Sequence, residues 1–117
     1  MGKKILFVLA TVMLFSLRSA WATTVWVEWD PNSEADLAGY KVYYGTASRT
    51  EGPYAEAVVI NDKNTTDLEL ALSSNTYYFS LTAFDHSGNE SDFSVEVSVT
   101  IPPAGDLGKP GRPILLQ

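Results

Sequence analysis

The sequence predicts an all-β protein built as an antiparallel β-sandwich, on three observations. Five segments alternate apolar and polar residues with period two, the signature of strands with one buried face. Turn-forming residues cluster between them at short, regular spacing. Outside the N-terminal run, no segment sustains a helical period, and there is no internal repeat.

Taken in order, the chain begins with a targeting pattern. Lys3 and Lys4 form a positive head, and Ile5 to Leu17 is an apolar run of 13 residues broken only by Thr11 and Ser16. A spanning helix needs roughly 20 apolar residues, so this run is short for one. Ala20-Trp21-Ala22 then places small residues at the −3 and −1 positions of a cleavage site. Residues 1–22 therefore read as a secretory signal peptide cut between Ala22 and Thr23.

The strands follow. Val25, Val27 and Trp29 alternate with Trp26 and Glu28, and Asp30-Pro31-Asn32-Ser33 turns the chain. Tyr40, Val42 and Tyr44 alternate with Lys41 and Tyr43. Val58-Val59-Ile60 is a short β-branched run, bounded by Gly45 to Pro53 and by Asn61-Asp62-Lys63-Asn64. Leu68, Leu70 and Leu72 form one apolar face. Tyr77, Phe79, Leu81 and Ala83 form another after Ser73-Ser74-Asn75. Val95, Val97 and Val99 close the set after Asp85-His86-Ser87-Gly88-Asn89. From Pro102 to Pro113, seven of twelve residues are Gly or Pro, so residues 102–117 read as an extended tail that cannot form a central strand.

Composition narrows the function. Removing the leader leaves 95 of the 117 residues, enough for one core and too few for two. The chain has no cysteine, which excludes disulfides, thiolate metal sites and cysteine nucleophiles. The processed chain carries five basic and 14 acidic residues. Phosphate binding needs clustered Lys and Arg, so neither nucleic acid nor an anionic membrane is an expected partner after cleavage.

From about Val25 to Ile101 the sequence resembles a fibronectin type III domain of the bacterial secreted type. Trp29 matches the buried tryptophan of strand B, and Tyr40-Lys41-Val42-Tyr43-Tyr44-Gly45 matches strand C. Leu72 and Tyr77 match the E–F corner, and Ala83 through Ser94 matches the F–G region. Trp29-Asp30-Pro31 followed by Asp36-Leu37-Ala38-Gly39-Tyr40 is similar to the bacterial versions. The resemblance implies an immunoglobulin-like sandwich over residues 23–101, with Tyr77 bonding a backbone group at the corner and Gly39 and Gly88 at turn positions. One departure stands out. Cleavage leaves only Thr23 and Thr24 ahead of Val25, so the processed chain is expected to lack strand A and to expose the strand B edge.

Two residue sets invite a functional reading. Asp30, Glu34, Asp36, Asp85, Glu90 and Asp92 fall in two loops that share one pole of the resembled fold. Their carboxylates could gather a calcium ion, but the spacing matches no calcium loop, and turn capping accounts for them. The second set is aromatic. Trp26, Tyr43, Tyr78 and Phe84 lie on the outward phase, where flat rings stack on sugars or on a partner protein. His86 sits in a loop beside Asp85 and Ser87, a sequential arrangement that cannot supply the geometry of a hydrolytic triad. No catalytic, cofactor or metal residue is assigned. The expected function is a secreted or periplasmic, non-catalytic module that binds a protein or polysaccharide, or holds a spacing. The alternative is an accessory subunit of a cell-envelope assembly, joined by strand addition at the strand B edge.

Overall fold

The computed structural model describes residues 10–18 and 22–103. It contains seven strands: β1 (Ala10–Arg18), β2 (Thr23–Trp29), β3 (Leu37–Gly45), β4 (Glu56–Ile60), β5 (Asp67–Leu72), β6 (Asn75–Asp85) and β7 (Val97–Ile101), with one short 3-10 turn at Arg49–Glu51. They form two sheets, β1–β2–β5 and β4–β3–β6–β7, in which every pairing is antiparallel.

The alternation read from the sequence places the core. Val25, Val27 and Trp29 of β2 face Tyr40 and Val42 of β3 and Phe79, Leu81 and Ala83 of β6, all buried in one cluster. Burying one such side chain fully contributes about 1.5–3 kcal/mol, so this cluster is what holds the two sheets together. The Trp29 indole meets the Tyr40 ring edge-on at 5.4 Å, and Tyr44 stacks on Phe79 at 5.6 Å. At the turn into β6, the Tyr77 hydroxyl donates to the Ser73 carbonyl at 3.0 Å while its ring is buried. That is the corner contact the resemblance implied. At the other pole, the Tyr40 hydroxyl accepts from the Asn32 N–H at 2.8 Å and so fixes the loop between β2 and β3.

Two expectations change, on the last strand and on Gly39, and a third depends on cleavage. The β2 edge is bare only if residues 1–22 are removed; in the full chain Ala10–Arg18 pairs along it, from Ala10 opposite Trp29 to Leu14 opposite Val25, and again at Arg18 opposite Thr23. An apolar run long enough for a leader also supplies apolar residues at the alternate positions that a strand turns toward a core. The last strand begins at Val97, and Val95 is 78 % exposed, because residues 91–96 reach β6 through serine hydroxyls instead of a regular ladder. Gly88 does sit in a turn with φ +88°. Gly39, however, lies within β3, where close packing, not backbone angle, excludes a side chain: a Cβ there would stand 2.0 Å from the Ile60 carbonyl oxygen. The expected tail from Ala104 onward, and the leader residues 1–9 and 19–21, lie outside the described residues.

Candidate interaction face

β3 and β6 run side by side through the middle of the larger sheet, and their polar phase forms its outer face. Lys41 pairs with Thr82 and Tyr43 with Ser80. Glu90 folds back over this pair of strands. It accepts from the Tyr43 hydroxyl, from Thr82 Oγ1 at 2.7 Å and from Lys41 Nζ at 3.2 Å. Burial alone would raise the Glu90 carboxyl, but these three donors and the Lys41 charge outweigh it and hold it below the usual 4.5. The Tyr43 phenol moves the other way: burial, then the carboxylate it donates to, push it up to about 12.

A second carboxylate repeats the arrangement one step along the face. Glu96 accepts from the Tyr54 hydroxyl, from Ser48 Oγ at 2.7 Å and from the Arg49 N–H at 2.9 Å. Partial burial again opposes these bonds and loses, so Glu96 also sits below its usual range. Burial and the hydrogen bond to Glu96 push the Tyr54 phenol to about 12.

Phe93 packs against both anchored phenols. It meets Tyr43 edge-on at 5.0 Å and Tyr54 at 5.7 Å, and the two tyrosine rings are 6.0 Å apart. The Arg49 guanidinium stands 4.8 Å from the Phe93 centroid and donates to the buried Ser80 Oγ at 3.0 Å. Phe93 remains 42 % exposed, and Val59 on β4, paired with Lys41, is 50 % exposed on the same face. The result is a fixed aromatic tile with a cation at its side, its two tyrosine hydroxyls each held by a carboxylate.

Of the four aromatics expected to form a surface, only Tyr43 joins this tile. Tyr78 is on the same sheet, paired with Gly45 and Ser98, and the ring pairs among the described residues do not include it. Phe84 packs over Gly39, using the space a side chain there would fill. Trp26 sits on the other sheet, between Met13 and Glu69. Tyr54, Phe93 and Arg49 come from irregular segments, where no periodicity marks them. The expected cleavage point lies at the start of β2, where Thr23 is buried and Ala22 half-buried.

The acidic residues do not converge. Asp85 is buried and binds its own turn, accepting from the N–H groups of Ser87 at 3.0 Å and Asn89 at 2.8 Å. Burial would raise its carboxyl; the bonds from Asn89 and Ser87 lower it. Glu90 serves the sheet face, while Asp30 and Asp92 are exposed. Glu34 holds one buried carboxylate oxygen without a hydrogen-bond partner among the described residues. Among the described residues no three acidic or histidine side chains are grouped to hold a metal. His86 is an exposed loop residue whose N–H donates to the Asp36 carbonyl at 3.2 Å.

No family model matches the sequence, and no curated protein matches it. Solved structures match the fold. The chicken CNTN1 FN1–FN3 domains superpose with a TM-score of 0.59 at 18 % identity, over 78 % of this chain and 30 % of that one. A myokine structure gives 0.56 at 18 % identity, over 78 % of this chain and 92 % of that one. Pectate lyase PelI from Erwinia chrysanthemi, solved with tetragalacturonic acid, gives 0.55 at 22 % identity, over 77 % of this chain and 28 % of that one. The chain thus spans under a third of two of these proteins and nearly all of the third. With two antiparallel sheets, a buried β2 tryptophan and a tyrosine at the turn into β6, the chain has a fibronectin type III-like fold.

Proposed function

We propose that the chain is a non-catalytic binding or spacer module that works outside the cytoplasm and engages a protein or polysaccharide through the outer face of the β4–β3–β6–β7 sheet. The observation that supports this reading is the Tyr43–Tyr54–Phe93 tile with Arg49 beside it. Aromatic rings and arginine dominate binding energy at interfaces, and rings already held in place avoid an ordering cost of about 0.5–1.5 kcal/mol each. The carboxylates argue for binding over catalysis. A general acid for glycoside cleavage needs a raised carboxyl, whereas Glu90 and Glu96 are lowered and occupied by phenols. The same fold makes up only part of larger chains, among them the pectate lyase and a Clostridium perfringens spore cortex lytic enzyme, which fits a module that accompanies other activities. Export rests on the leader pattern of residues 1–22.

The test compares the secreted wild type with a Tyr54→Ser/Phe93→Ser variant. Migration through gels cast with neutral polysaccharides and capture from envelope fractions are read side by side. At least about tenfold weaker retention of whatever the wild type binds is expected. Equal retention by the two proteins would refute the tile as the binding face.

A further inference from the structure

We propose that the outer edge of β2 is a strand-acceptor site. It takes an extended segment of another polypeptide, antiparallel to β2, with apolar residues at alternate positions, and Ala10–Arg18 holds this site in the unprocessed chain. The proposal rests on removal of residues 1–22 and is independent of the aromatic tile, which lies on the other sheet.

The pairing of β2 defines the site. One side of the strand is taken by β5, with Thr23–Glu28 registered against Leu72–Asp67. The other side carries β1 in five consecutive pairs, Ala10 to Leu14 against Trp29 to Val25, after which the register shifts before Arg18 meets Thr23. Ala10, Val12 and Leu14 therefore stand opposite Trp29, Val27 and Val25, the inward residues of β2, which are 5 %, 0 % and 0 % exposed. Thr11 and Met13 stand opposite the outward residues Glu28 and Trp26. The edge thus asks for apolar residues at three alternate positions.

Nothing else in the described chain closes that side. β1 also approaches β7, the free edge of the opposite sheet, so it spans the flank of the sandwich between the two layers. The expected cleavage falls between Ala22 and Thr23, at the first residue of β2. Removing the leader there takes away the whole of β1 and leaves β2 intact. It exposes a row of backbone donors and acceptors and the flank of an apolar core. A long, apolar, unpaired edge is an efficient template for a further strand, and backbone pairing supplies affinity while alternate side chains supply selectivity. Because β1 leaves with residues 1–22, it cannot refill the edge of the processed chain.

The experiment uses the processed chain secreted from its full-length precursor, its start verified by intact mass. A labelled peptide of residues 10–18 is titrated against it, alongside the same peptide carrying Val12→Ser and Leu14→Ser. Hydrogen exchange follows the amides of β2. Saturable binding of the first peptide, at least tenfold weaker binding of the second, and slowed exchange confined to the free side of β2 are the expected results. If the processed chain is unfolded alone and gains its strand signal when the first peptide is added, the proposal also stands. It is overturned if neither peptide binds, if both bind equally, or if an unfolded processed chain is not rescued. It is equally overturned if the edge amides of the processed chain are already protected, whether by its own tail or by a second copy, or if the secreted protein retains residues 1–22.

Discussion

Gly39 and Gly88 separate two reasons for the same residue type. Gly88 has φ +88° with open space where a Cβ would go, so its requirement is conformational. An alanine there adopts a left-handed backbone at a cost of roughly 1–2 kcal/mol. Gly39 lies in β3 without a left-handed φ, but a Cβ would lie 2.0 Å from the Ile60 carbonyl oxygen and 2.9 Å from the Phe84 ring. The ring could swing aside, whereas the carbonyl belongs to β4 and can move only if that strand separates from β3. Gly39→Ala is therefore expected to cost at least about 3 kcal/mol, the upper range for overpacking, and clearly more than Gly88→Ala. Urea unfolding of the two variants checks the order; equal midpoints would contradict it. The sequence marks both positions as glycine but does not distinguish them, because the contact that excludes a side chain at Gly39 comes from a residue 21 positions away.

Between β6 and the segment leading into β7, two serines stand in for a strand. Ser91 Oγ accepts from the Ala83 N–H and Ser94 Oγ from the Leu81 N–H, both at 2.9 Å, and the N–H groups of Ser91 and Ser94 donate back to the Ala83 and Leu81 carbonyls at 2.8 Å. The substitution lets the chain bulge outward, so that Phe93, between the two serines, reaches the sheet face and Val95 faces solvent. Ser94→Ala leaves the buried Leu81 N–H without its acceptor, which costs about 1–3 kcal/mol. Native-state hydrogen exchange is expected to quicken at Leu81 more than at Phe79; a uniform change would contradict the local account. This element also marks the limit of what the sequence discloses. β2, β3, β5 and β6 are legible because their apolar residues alternate with polar ones to face one shared core. The 91–96 segment is not, since serines three apart look like loop residues and Val95-Glu96-Val97 mimics a strand that starts two residues early. Tyr43 could be placed outward by phase, while Tyr54 and Phe93 depend on loop paths that no period encodes. β1 is hidden for another reason: its apolar run does not alternate, and it satisfies a leader equally well.

Across the whole molecule, net charge and local charge networks pull stability in opposite directions as pH falls. The chain carries 14 acidic residues and a formal net charge of −6, so protonating carboxylates relieves general repulsion. Glu90, Glu96 and Asp85 act against this, because each is held below its usual range by hydrogen bonds present only in the folded chain. A carboxyl lowered by folding contributes stability that is complete above its unfolded value, near 4.5 for the two glutamates, and is lost as pH drops through the lower folded value. Tyr43 and Tyr54 are raised from 10.0 to about 12, so their contribution is complete below pH 10 and is lost as pH climbs toward 12. The paired carboxylates outweigh the diffuse repulsion because screening weakens charges farther apart than roughly 8 Å at physiological salt, while these contacts are direct. Stability is thus expected to be flat between about pH 5 and 10 and to fall on both sides. Glu90→Gln with Glu96→Gln should cost on the order of 1–2 kcal/mol per site at neutral pH, each carboxylate being partly exposed, and should flatten the acid limb. Tyrosinate absorbance should show Tyr43 and Tyr54 ionising about two pH units after an ordinary phenol, and earlier once the rings' carboxylate partners and packing are lost on unfolding. A wild type that gains stability steadily from pH 5 down to pH 3, or a double variant with the same acid limb, would mean that diffuse repulsion governs and the two anchored carboxylates do not.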